Sequence, residues 1–257
     1  MTTFRCLHYL LFEIEGDKNN GLEKRVAYHI LRSVLPLALA IVGFVGGGQA
    51  QVLPASFKTD FQVWNDTQFI VPLNRAGDWS FAFAVVGRFG NKVRTTVDAR
   101  IGGFISKKLN KHITVAGGYF YRYSNPTFVR KRDESRYVGF MTYTAPLGHN
   151  FTIVLRPQVQ YEDRYSRPNA VVTESRFTLK RLVKLEKTEF EPFVAFEPIY
   201  DFTAKMFVAF REQIGISHKF SKSVSADIGY LRQDATGHGT RPGTLNGIST
   251  SLKVTVR

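Results

Sequence analysis

After Gln51, apolar and polar residues alternate with a period of two, and helical spacing is nearly absent. Along 152–162, Ile153, Leu155, Pro157, Val159 and Tyr161 share one face, and Thr152, Arg156, Gln158, Gln160 and Glu162 share the other. Along 78–88, Trp79, Phe81, Phe83 and Val85 oppose Ser80, Ala82, Ala84 and Arg88. Phe177 and Leu179 oppose Arg176, Thr178 and Lys180 in 174–184. In 188–200, Phe190, Pro192, Val194, Phe196, Pro198 and Tyr200 oppose Glu191 and Glu197. Such runs, separated by Gly, Pro, Asn, Asp or charge clusters, predict strands at 59–71, 78–88, 95–106, 112–123, 135–145, 150–162, 174–184, 188–200, 206–218, 223–232 and 246–256.

These segments run to about ten residues or more, the length a tilted strand needs to cross a bilayer. Strands of soluble proteins average about five or six. Alternation alone does not separate a soluble sandwich, apolar face inward, from a membrane barrel, apolar face outward. Aromatic residues near the strand ends (Trp79, Tyr119, Tyr121, Tyr123, Tyr161, Tyr165, Tyr200 and Tyr230) favour the barrel, since girdles belong there. The connections alternate too. Those at 124–134, 163–173 and 233–245 are long and polar, and those at 107–111, 146–149, 185–187 and 219–222 are short. Outer loops and periplasmic turns alternate in this way, which places the C-terminus on the periplasmic side. Eleven strands would leave the first and last parallel. The pattern therefore favours twelve, with Asn65-Asp66 dividing the first segment, over ten.

The leader strengthens this picture. Residues 33–48, SVLPLALAIVGFVGGG, carry no charge, follow Lys24, Arg25 and Arg32, and precede Gly48-Gln49-Ala50. A basic region, a short apolar run and small residues at the −3 and −1 positions describe a secretory signal peptide cleaved after Ala50. The run is short of the ~20 residues of a spanning helix. The expected division is thus 1–50 signal peptide, with an over-long N-terminus whose true start lies near Leu22 or Val26, and 51–257 barrel. The fold class expected is all-β: an antiparallel transmembrane barrel of about 10–12 strands in a Gram-negative cell outer membrane.

The chain carries 35 Lys plus Arg against 21 Asp plus Glu, a net charge of +14. The basic residues are dispersed among aromatic runs, without zinc-finger, RNP-like or helix-turn-helix patterns, so no nucleic-acid partner is expected. The one cysteine, Cys6, precedes the expected cleavage site, which leaves no disulfide framework and no thiolate metal site.

Several segments resemble the DUF2490 family of predicted outer-membrane barrels of unassigned activity. They are DFQVW at 60–64, YEDRY at 161–165 with an acidic-x-Arg-aromatic strand end, ESRFTLKR at 174–181, and FREQIGI at 210–216. The resemblance implies a fold and a location, not a reaction. Ile248, Thr250, Leu252, Val254 and Val256 alternate as a closing strand should. The chain then ends in Arg257, where barrels usually offer the assembly machinery an aromatic residue.

Catalysis needs a nucleophile with a base, or a carboxylate–histidine arrangement that activates water. His112, His149 and His238 fall in expected turns or loops and His218 at a strand end. No phospholipase-like or deacylase-like motif and no metal-ligand spacing surrounds them. No catalytic residue, cofactor or metal is expected, and the protein reads as a non-enzyme. The residues expected to face the interior on successive strands are Arg156, Arg176, Lys180, Glu191, Glu197 and Arg211, read as an ion-pair ladder filling the lumen. The alternatives are a small anion-selective pore admitting small anionic solutes, an outer-membrane lipid hydrolase or acyltransferase, and a secreted soluble β-sandwich. Expected partners are outer-membrane lipid and the barrel-assembly machinery. Glu212 breaks the alternation among Val208, Phe210, Ile214 and Ile216, which predicts a bulge there or a strand shifted toward the rim.

Overall fold

The structure, a computed structural model, describes residues 58–90, 93–125, 132–165, 167–185, 188–236 and 243–256. The expected leader and its cleavage site lie outside these residues, as does His238.

Fourteen segments form one sheet: β1 (Lys58–Pro72), β2 (Trp79–Gly90), β3 (Thr95–Lys108), β4 (Ile113–Ser124), β5 (Arg132–Gly148), β6 (Phe151–Arg156), β7 (Gln158–Arg164), β8 (Ala170–Glu174), β9 (Arg176–Arg181), β10 (Val183–Leu185), β11 (Thr188–Asp201), β12 (Met206–Lys219), β13 (Val224–Ala235) and β14 (Gly243–Thr255). They make eleven barrel strands, because β6 and β7 together line one side of β5, and β8, β9 and β10 together line β11. The interruptions have a cause. Pro157 separates β6 from β7, and it falls in register beside Ser175, with Pro198 on the other side. Neither proline has an N–H to give the ladder. The turn into β6 is of the two-residue kind, with φ of 50° at His149 and 65° at Asn150. Asparagine tolerates such angles, and they match the twist of the flanking strands.

Closure corrects the expected twelve strands. The count is eleven, and β1 pairs with β14 in parallel from Lys58↔Gly243 to Ile70↔Thr255. Asn65 and Asp66 do not divide the first segment, since both pair with β14 and β2 in unbroken register. An odd count sends the chain in at one end of the barrel and out at the other. β2, β4, β7, β11 and β13 finish at the end where β1 starts, and β1, β3, β5, β10 and β12 finish at the end where β14 does.

The faces are assigned by burial. Ala82 and Ala84 are 1% and 2% exposed, while Phe81 and Phe83 between and beside them are each 38% exposed. The small side chains thus point into the barrel and the large apolar ones out, the reverse of a soluble core. Val159, Phe196, Ile214, Ile228 and Ile248 extend the same exposed wall around the barrel. Val194 is an exception. Alternation places it outward between Leu179 and Ile214, yet it is buried. Tyr119, Tyr137 and Tyr161 align across β4, β5 and β7 at ring separations of 5.4 and 6.3 Å, a girdle near the long-loop end. Trp79 stands at the other end with the Lys107 ammonium 4.9 Å from its ring centroid.

Glu212 sits neither at a bulge nor on a shifted strand. The register shift falls instead between Ile199 and Tyr200, and β12 pairs with β13 without interruption. Glu212 keeps its outward position directly across from Arg232, which is paired at 3.0 Å with Asp234. Opposite charge on the neighbouring strand, rather than altered backbone, accommodates it.

Candidate functional site in the lumen

Charged residues occupy alternate, inward positions on strand after strand at the long-loop end. Asp98 on β3 accepts hydrogen bonds from Arg100 Nε at 3.0 Å and Arg122 Nε at 2.7 Å, and Arg88 Nη1 lies 3.8 Å away. Arg122 reaches on to Glu134 at 3.0 Å. Glu134 also accepts from Arg136 at 2.8 Å and from Arg167, which the turn after β7 folds into the barrel mouth. Arg136 lies 2.6 Å from Glu162, and Glu162 accepts from Arg164 Nε at 2.8 Å. Arg164 is 4.0 Å from Asp201 on β11. Two inward positions further along β11, Glu197 pairs with Arg211. The guanidinium groups of Arg211 and Arg88 lie 4.9 and 3.7 Å from the Trp64 ring centroid, which returns the chain of contacts to its start.

This belt is dry. Asp98, Glu134, Arg136, Glu162 and Glu197 are each at most 4% exposed. Burying a charge costs several kcal/mol unless partners replace its water, and each of these groups lies within 4.0 Å of two or more opposite charges. Glu174 is different. It accepts a hydrogen bond from Gln160 at 2.9 Å and has no cation within 4.0 Å among the described residues. Arg211 of β12 acts on it most, followed by Arg100, Arg136 and Arg88 of β3, β5 and β2, so charges from several strands converge on it.

All six residues named from sequence face the interior. The structure brings Arg211, Glu197 and Arg176 together, with Arg176 4.0 Å from Glu197 and donating to Gln213 at 2.6 Å. It separately joins Lys180 to Glu191 at 3.5 Å, where Glu191 is 42% exposed near the rim. Among the described residues, Arg156 joins no carboxylate. It lies 5.9 Å from the Phe140 ring centroid, and its Nε has no hydrogen-bond partner. Most of the belt was not among the six candidates: Arg88, Asp98, Arg100, Arg122, Glu134, Arg136, Glu162, Arg164, Arg167 and Asp201. Its signal is nevertheless written in the chain as an acidic-x-Arg triplet at 98–100, 134–136, 162–164 and 174–176. A period of two puts both charges of each triplet on one face, and in the first three they bond to one another.

His112 Nδ1 and His218 Nδ1 each lie 2.8 Å from a backbone carbonyl, of Thr144 and Glu189. Among the described residues, no three His, Cys, Asp or Glu side chains are placed to hold a metal ion.

Fold and interior together define a closed, eleven-stranded β-barrel with an apolar outer wall and ion-paired side chains inside. The chain belongs to the family described as "Protein of unknown function (DUF2490)", which matches residues 61–242. The segments that carried the resemblance meet in the lumen. Asp60, Gln62 and Trp64 of DFQVW form a hydrogen-bonded row of 2.9 and 2.8 Å, and Glu162, Arg164, Glu174, Arg176, Arg211 and Gln213 come from the other three. No protein with a curated description matches the chain. Among solved structures it is similar to the outer-membrane expressed OmpT of Vibrio cholerae, at 12% identity and a TM-score of 0.33. That match covers 61% of this chain and 54% of the other, so the chain spans about half the length of the structure it matches.

Proposed function

We propose that this protein is a non-enzymatic outer-membrane barrel whose lumen is closed at its long-loop end by its own charged side chains. The observation that carries the reading is the belt of guanidinium and carboxylate groups, at most 4% exposed at its five most buried members, which runs round the interior and back to Trp64. A wet channel would leave such groups solvated; these are paired with one another instead. The apolar wall supports residence in lipid, since a water-exposed patch of that extent is foreign to soluble monomers. Lipid and the assembly machinery are then its partners, with the long loops outside and the short turns in the periplasm.

Cell fractionation with cysteine labelling tests this. The protein should sediment with the outer membrane. Cysteines at Phe81 and Val159 should react with lipid-soluble reagents only, and a cysteine at Gln158 should not react with them. Recovery in the periplasmic fraction, with Phe81 and Val159 shielded from both kinds of reagent, would establish the soluble sandwich.

A further inference from the structure

From the inner side of the belt, where Arg88, Arg136 and Arg211 line it, the lumen opens toward the short-turn end into a cavity of about 620 Å³, within the range of small-molecule sites. Its walls are divided by chemistry. Arg156 of β6, Arg176 and Lys180 of β9 and Lys253 of β14 project into it, and Phe104 of β3 and Phe140 of β5 line another part, packed edge-to-face at 5.2 Å. The two chemistries meet where the Arg156 guanidinium lies 5.9 Å from the Phe140 centroid.

These four cations are not held as the belt holds its own. The Arg176 and Lys180 side chains are each 27% exposed, against 5% for Arg136 in the belt. The nearest carboxylate to Arg176, Glu197, is already taken by Arg211, and that of Lys180, Glu191, is itself largely solvated. Arg156 and Lys253 have no carboxylate within 4.0 Å among the described residues, and the Arg156 Nε is buried without a partner. Asp66 and Asp227 face the same space and act on Lys253, as Arg156 and Lys180 do from across the lumen. Cations thus outnumber carboxylates on the cavity wall. Gathering like charges around an aromatic floor is costly unless an anion completes the site.

We propose that the cavity binds a small organic anion, its carboxylate or phosphate held by Arg156 and Lys253 with Arg176 and Lys180, and its apolar body against Phe104 and Phe140. The ligand enters from the short-turn mouth, where Ile70, Ser80 and Ser106 form the cavity rim. Charge-assisted contacts supply the affinity, and the aromatic wall supplies the preference for a ring or short chain over a bare ion. Only the direction of entry rests on the closed-lumen reading.

The test is calorimetric titration of the detergent-solubilised, heat-modifiable barrel with phenyl phosphate, inorganic phosphate and benzyl alcohol. Phenyl phosphate should bind most tightly, inorganic phosphate more weakly, and the neutral alcohol not measurably. Arg156→Gln and Lys253→Gln should each weaken both phosphates by about tenfold, and Arg156→Lys should recover most of that loss. Phe140→Leu should weaken phenyl phosphate alone. Lys253 makes no ion pair among the described residues, so its variant keeps the barrel intact and the test readable. No heat with either phosphate, or equal affinity in wild type and Lys253→Gln, overturns the site. An open lumen that still bound phenyl phosphate would overturn the closed-lumen reading and leave this one standing.

Discussion

Arg211 shows most clearly how a single lumen residue carries weight. It pairs with Glu197, donates two hydrogen bonds to Gln233 Oε1 at 3.0 and 3.1 Å, and lies over Trp64. Arg211→Ala would leave Glu197 with only the distant Arg176, and stranding a buried carboxylate costs about 3 kcal/mol or more. Replacing both Arg211 and Glu197 by leucine removes the charge along with its partner, so the double variant should unfold closer to wild type than Arg211→Ala does. Thermal unfolding of the three proteins in detergent checks this; an additive loss in the double variant would show that the two residues are not coupled. Glu134 gives a second case, because it serves Arg122, Arg136 and Arg167. Glu134→Gln should destabilise the barrel and free the turn that carries Arg167, seen as faster proteolysis at 165–169 without cleavage elsewhere. At this scale the sequence was half legible. Arg211 and Glu197 stood out because each lies opposite an apolar row, Val208, Phe210, Ile214 and Ile216 for the first and Phe190, Val194, Phe196 and Tyr200 for the second. Glu134 and Arg164 did not, because charge beside a polar connection reads as loop, and both had been assigned to connections.

Among the elements, the parallel seam between β1 and β14 is what makes an odd barrel close. Gly247 faces inward there, and a Cβ on it would come within 2.2 Å of the Gln62 carbonyl oxygen. That clash is with backbone of the paired strand, so Gly247→Val should block closure and abolish heat-modifiable migration. The seam register is directly testable. Thr67 and Leu252 are partners, so cysteines at these positions should cross-link through a short bifunctional reagent, while Thr67 with Thr244 should not. A twelve-stranded antiparallel closure would give the opposite. Strand positions were largely legible, since a period of two marks them wherever one face is apolar and the other polar. The parity was not, because nothing local in β1 announces a parallel partner 185 residues away, as Asn65 and Thr250 are. Nor was the start of β8: Ala170 and Val172 are buried, but they lie in a polar stretch between Tyr165 and Ser175 that looks like loop.

For the whole molecule, two zones follow from one inward face: a dry, paired belt toward the long loops and a wetter, cationic cavity toward the short turns. The sequence carried the inversion of polarity that defines the wall, and it carried the basic excess. It did not show that the excess gathers at one end, because Arg156, Lys180 and Lys253 are brought together only by the stagger of strands around the barrel. The belt is the central claim, and electrical conductance across a planar bilayer tests it most directly. Wild-type protein should insert without a steady ion current. A variant lacking the hubs, Asp98→Ala with Glu134→Ala, should pass current with a preference for anions, because it keeps the arginines and loses their counter-charges. A steady, anion-selective current through the wild-type barrel would contradict the account.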